Sequence, residues 1–112
     1  MKVDQYLTES GSSIYYDNDF RNVLEDHMTF LRNHPLTSVI TLDANKVYQF
    51  EFDLFGLFRF YQIPVQLYWL TMRMNNRVSP QDNVKNIEIL LVPDHNTVAQ
   101  IAQSHTTTKR IN

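Results

Sequence analysis

Apolar residues fall in clusters along the chain, and the spacing within each cluster predicts its conformation. Between Asp19 and Asn33, Phe20, Val23, Leu24, Met28 and Leu31 recur at helical spacing, with Arg21, Asn22, Glu25 and Asp26 on the wet side. Asp17, Asn18 and Asp19 supply N-cap chemistry and acids at the positive end of the helix dipole. Pro35 stops the helix, because the residue before proline avoids the helical region. The β-branched run Thr37 to Leu42, TSVITL, predicts a strand. Asp43-Ala44-Asn45-Lys46 is turn chemistry. VYQFEF, from Val47 to Phe52, then alternates, with Tyr48, Phe50 and Phe52 on one face and Val47, Gln49 and Glu51 on the other. That alternation predicts a half-buried strand that closes a hairpin with the first.

The stretch from Leu54 to Met74, LFGLFRFYQIPVQLYWLTMRM, holds most of the large apolar residues, including the only tryptophan, Trp69; its only charges are Arg59 and Arg73. Asp53 caps a predicted helix from Leu54 to Tyr61, Gln62-Ile63 is a break, and a second helix runs from Pro64 to Asn75. Val65, Tyr68, Trp69 and Met72 lie on one face of that helix, and Leu67, Leu70 and Met74 on another. A helix apolar over so much of its circumference is buried nearly all round. Two coverings are open: the hairpin and the N-terminal helix, or another subunit docked on part of the surface, where Trp, Tyr, Met and Arg are the enriched anchors. Arg59 reads as a snorkelling side chain; for Arg73, snorkelling and interface pairing stay open.

Beyond the loop Ser79-Pro80-Gln81-Asp82, the run Ile87 to Val92, IEILLV, predicts a strand closed by Pro93. Asp94 to Asn96 cap a short helix from Thr97 to Gln103, with Val98, Ile101 and Ala102 inward. Residues 1–16 and 104–112 are polar and read as an arm and a mobile tail. Ile14-Tyr15-Tyr16 interrupts the first of these and predicts that the arm is tied down.

With 112 residues the chain is one domain with an arm at each end and a modest core. Ten Lys and Arg against twelve Asp and Glu give a net charge of −2, a field too weak to recruit nucleic acid or anionic lipid non-specifically. The absence of cysteine excludes disulfides, thiolate metal sites and a cysteine nucleophile. MKVDQYLTESGSS has no apolar signal core, and no run approaches the roughly 20 apolar residues that span a bilayer. Two glycines, Gly11 and Gly56, leave no phosphate-binding loop. The four histidines lack metal-site spacing, although His27 and His34 share a helix face. Glu25-Asp26 sits on a solvated face, and Ser12-Ser13 and Thr106-Thr107-Thr108 sit in the ends. The expectation is binding without a cofactor, not catalysis.

From Tyr48 to Pro93 the predicted order is strand, helix, helix, strand, with Tyr61 before the break, Asn75-Asn76 at the helix end, Pro80 in the loop and Val92-Pro93 closing. This outline resembles the LysM module, and with Tyr68-Trp69 in the second helix it resembles the LysM-like wedge or hub protein of contractile-tailed bacteriophage baseplates. The resemblance implies an α+β fold: an N-terminal helix and β-hairpin leading into a LysM-like βααβ module, a short C-terminal helix and a flexible tail. The divisions are 1–16, 17–46, 47–103 and 104–112. It implies a structural assembly protein of the virion tail baseplate, put together in the host cytoplasm. Its partners would be other baseplate proteins, with no nucleic acid and no membrane. Tyr15, Tyr16, Phe55, Phe58, Trp69, Arg73 and Ile111 are the candidate interaction residues. The alternative is a peptidoglycan-binding module, with Phe55 and Asp82 at the glycan groove. Against it, Glu51-Phe52-Asp53 and Lys85-Asn86 lack the glycines that usually flank that groove, and Leu54-Phe55 is bulky there. The resemblance thus implies the fold more strongly than sugar binding.

Overall fold

Asp17 opens the first helix as expected: its carboxylate accepts the Phe20 N–H at 3.3 Å. The computed structural model describes residues 11–82 and 87–111, with side chains beginning at Ile14 and ending at Thr106. In it the predicted helix from Asp19 to Asn33 is two, α1 (Asn18–Asp26) and α2 (Met28–Arg32), with His27 between them. The His27 Nδ1 lies 2.8 Å from the Val23 carbonyl, so the ring and the backbone N–H of His27 share one acceptor. Such competition loosens a helix.

The chain continues through β1 (Ser38–Thr41), α3 (Ala44–Gln49), α4 (Leu54–Phe60), a 3-10 turn (Val65–Leu67), α5 (Tyr68–Met74), β2 (Ile89–Val92) and α6 (His95–Ile111). The fold is α+β, with helices gathered around one two-stranded antiparallel sheet. Among the described residues no helix is long and apolar enough to cross a membrane.

Three expectations are corrected. Val47 to Phe52 is not a strand, and there is no hairpin with β1. Asp43 accepts the Asn45 N–H at 2.9 Å and starts a helix in its place, held further by the Asp43 N–H donating to the Tyr61 hydroxyl at 2.9 Å. Helical spacing turns Val47 into the core and half-buries Phe50, while Tyr48 and Phe52 face water. β1 pairs instead with β2, with Ile40 opposite Leu90. The arrangement between the strands is therefore three helices where the resemblance implied two. Second, the arm has order of its own at its end, where Gly11–Tyr16 forms a 3-10 helix; Ile14-Tyr15-Tyr16 ties it down as expected, with Tyr15 buried in this chain's own core. Third, α6 does not stop near Gln103 but runs on to Ile111 through the expected tail. No glycine or proline follows Gln103 to end it, and Val98, Ala102 and His105 keep one face in contact with the body.

Both central helices end alike. Gln62 and Asn76 stand in the left-handed region, at φ 63 and 65. After α4, Gln62 N–H donates to Arg59 O and Ile63 N–H to Phe58 O; after α5, Asn76 N–H donates to Arg73 O and Arg77 N–H to Met72 O, all at 3.0 Å. These are Schellman closures, and beneath the first Ile63 and Phe58 are both buried in the core. Before α4, the Asp53 carboxylate accepts the Gly56 N–H at 3.1 Å. A Cβ at Gly56 would collide with that carboxyl and come within 2.9 Å of the Phe50 ring.

The end of α5 ties distant segments together. Asn75 Nδ2 donates to Leu91 O at 2.8 Å and to Thr71 O at 2.7 Å, and Asn75 Oδ1 accepts the Leu91 N–H at 2.8 Å. Leu42 N–H donates to Glu88 O, so antiparallel alternation turns the Leu91 N–H and C=O away from β1. Asn75 thus takes the place of a third strand at Leu91. Arg32 donates to Met74 O, Arg73 O and the Asn76 amide, capping the same turn from α2. Asn75→Ala removes three hydrogen bonds and strands the Leu91 N–H. Urea denaturation is expected to show a loss of about 2–3 kcal/mol, while the exposed control Asn22→Ala stays within about 0.5 kcal/mol.

Candidate docking groove

α1 lies against α5, and residues four apart on each helix meet as two rungs. On one, Arg73 Nε donates to Glu25 Oε2 at 2.6 Å, and Arg73 Nη1 donates to Arg77 O at 2.9 Å. On the other, the Arg21 guanidinium lies 4.8 Å from the Trp69 ring and 5.6 Å from that of Tyr16, while its Nε donates to Tyr15 O at 3.2 Å. The pairing works because i and i+4 share a helix face. Arg21, assigned by helical spacing to the wet side, instead covers Trp69.

Beside the Arg21 rung is a groove of about 470 Å³. Buried Met72 and half-buried Phe55, Tyr68 and Trp69 line its depth. Phe55 and Tyr68 lie 5.0 Å apart, both against buried Phe58. Exposed Tyr16, Arg59, Val65 and Val78 form its rim. Among the described lining residues there is no carboxylate, and no described residue forms a hydrogen bond or ion pair with the Arg59 guanidinium. An apolar cleft flanked by two guanidiniums and no acid fits a partner that brings apolar side chains and negative charge together.

Three of the sequence candidates, Tyr16, Phe55 and Trp69, meet in this groove. Tyr15 and Phe58 are core residues. Arg73, left open by the sequence, turns inward to Glu25, and the Ile111 side chain lies outside the described residues. Arg59 rims the groove rather than covering the core. Arg21, Val65, Val78 and Pro80 also line the groove, although none is a candidate interaction residue by sequence. Nothing in the order of residues brings position 21 to position 69; only the crossing of α1 and α5 does. Asp82, expected at a glycan groove, is engaged in its own loop, where Oδ2 accepts the Val78 and Ser79 N–H groups at 2.8 and 3.1 Å.

A second cleft, of about 430 Å³, brings together His27, His34 and His105 from α1–α2 and α6. The Phe30 ring stands edge-on between His27 and His34, at 6.2 and 5.2 Å. His34 Nδ1 accepts the Leu36 N–H at 3.1 Å, and His105 Nε2 lies 3.9 Å from the Asp17 carboxylate. Among the described residues no group of three or more His, Asp or Glu could hold a metal ion.

Burial pushes the Tyr15 phenol above its ordinary value of 10.0. The unfolded chain ionises first as pH rises, so this contribution to stability is complete below pH 10 and is lost as pH climbs through the higher folded value. Melting temperatures of the wild type and Tyr15→Phe are expected to differ by a constant amount at neutral pH. Above pH 10 the gap should change in favour of the variant, which has no phenol to ionise.

Compared with protein-family models, with curated proteins and with solved structures, the chain has no significant match.

Proposed function

We propose that this chain is a structural assembly protein whose work is binding, and that the groove between Tyr16, Trp69 and Arg59 is the surface it offers to neighbouring subunits. The observation that carries this reading is the lining itself: half-buried aromatic side chains beside two guanidiniums. That is the composition of interface anchors. Most of the apolar surplus foreseen for α5 is sheltered by the chain alone, since Leu70, Thr71, Met72 and Met74 are buried. Of the exposed large apolar residues, Tyr16, Val65 and Val78 rim the groove, Tyr48, Phe52 and Phe60 lie on α3, the turn after it and the end of α4, and Phe30, Leu36, Val39 and Ile89 lie elsewhere. The setting we propose, the baseplate of a contractile phage tail assembled in the host cytoplasm, rests on the LysM-like outline of the sequence. The structure departs from that outline at its start, since Ala44–Gln49 is helical and β2 pairs with Ser38–Thr41, a strand that precedes Tyr48; what is shared is the pair of central helices before a closing strand.

Immobilised full-length chain is expected to capture baseplate proteins from dissociated contractile tails. Arg59→Glu and Val78→Glu, both at exposed positions, should each lower capture about tenfold or more without lowering the melting temperature. Capture of no tail protein, or capture indifferent to both substitutions, overturns the reading. Retention on insoluble cell wall that falls in Phe55→Ala would move the assignment to glycan binding.

A further inference from the structure

The turn between α3 and α4, Glu51-Phe52-Asp53, is built at odds with its own residues. Phe52 stands at φ 65, a conformation that costs any residue with a bulky side chain, and the residue is 56% exposed. Neither the backbone nor the burial of this chain benefits from a phenylalanine there. Its neighbours are acidic: no described residue forms an ion pair with Glu51, and Asp53 carries its charge at the start of α4. The result is an aromatic knob flanked by carboxylates. The groove has the opposite character, an aromatic-lined hollow flanked by Arg21 and Arg59 without an acid. Knob and groove are next to each other: Leu54 N–H donates to Pro80 O at 2.9 Å, and Pro80 and Phe55 both line the groove.

We propose that a second copy of this chain occupies the groove, inserting Phe52 against Trp69 and Phe55 while Glu51 pairs with Arg59. A knob adjacent to its complementary hollow suits a two-fold pair, in which each copy gives and receives the same contact and the assembly closes. Pairing supplies both things the isolated chain lacks: cover for Phe52 and an anion for the groove. The strained turn keeps the ring projecting, so little ordering remains to be done on association. The inference rests on the reading of this groove as a docking surface and names one occupant for it.

Sedimentation velocity of the purified full chain across the micromolar range tests it. The expected result is a concentration-dependent dimer. Phe52→Gly should weaken self-association about tenfold or more while holding or raising the melting temperature, because glycine accepts the left-handed backbone freely. Glu51→Arg and Arg59→Glu should each weaken the dimer alone. An equimolar mixture of these two variants, and the double variant, should restore it, since every knob then faces a groove of opposite charge. A chain that stays monomeric at every concentration, as it would if its own segment filled the groove, overturns the proposal. So does a dimer indifferent to all three substitutions. If the chain is monomeric yet captures tail proteins in an Arg59-dependent way, self-pairing fails and the docking reading stands. If capture is also indifferent to Arg59, both fail.

Discussion

The side chain of Asn75 holds the molecule together at the place where its halves meet. One amide satisfies both backbone groups of Leu91 and also bonds Thr71 O one turn back in α5. A two-stranded sheet alone is marginal, because it has two open edges and little surface to bury. Here the outer edge of β2 is occupied at its centre by a helix end, and the sheet becomes part of the helical body. The same helix end receives Arg32 from α2 and, through Arg73, Glu25 from α1. Segments more than forty positions apart converge on one turn, and the Schellman closure at Asn76 fixes how that turn exits. Removing the amide leaves not one weak contact but an unpaired backbone donor beneath the packed helix, which is why its cost exceeds that of an ordinary hydrogen bond.

The groove is a consequence of that knot. With Arg73 drawn to Glu25, α1 and α5 are held in a fixed register, and the next rung places Arg21 over Trp69. The cation lies over the indole, which lines the hollow together with Phe55 and Tyr68. The ion pair between Arg73 and Glu25 is partly exposed and of small energetic value by itself. Its larger effect is geometric, because it selects which residues of two amphipathic helices face one another. The electrostatic character of the groove follows: its guanidiniums come from α1 and α4, while Glu25 is taken up by Arg73 and Asp53 caps α4.

Much of this was legible in the residues. Helix starts were marked by Asp17, Asp53 and Asp94, and all three carboxylates accept N–H groups three positions on. The break at Gln62-Ile63, the end at Asn75-Asn76 and the strands within TSVITL and IEILLV stand where the residues place them, because each depends on chemistry within a few positions. The alternation VYQFEF misled, since period two and a short helix start both fit six residues with aromatic alternation. Asp43 as a cap, rather than as a turn residue, was the signal that favoured the helix.

The order of residues is enough for the inventory: an α+β chain, helices with caps at stated places, one tryptophan in an apolar centre, and ends less apolar than the middle. These follow from local propensity and periodicity, which act over one or two turns. Tertiary structure alone decided that β1 pairs with β2 across the whole central stretch and that Val47 to Gln49 is therefore left to be helical. It alone brought Arg21 to Trp69 and turned Arg73 to Glu25. Such choices are made by which buried faces and unpaired backbone groups find partners when the elements come together, and distances between elements are not written in the order of residues.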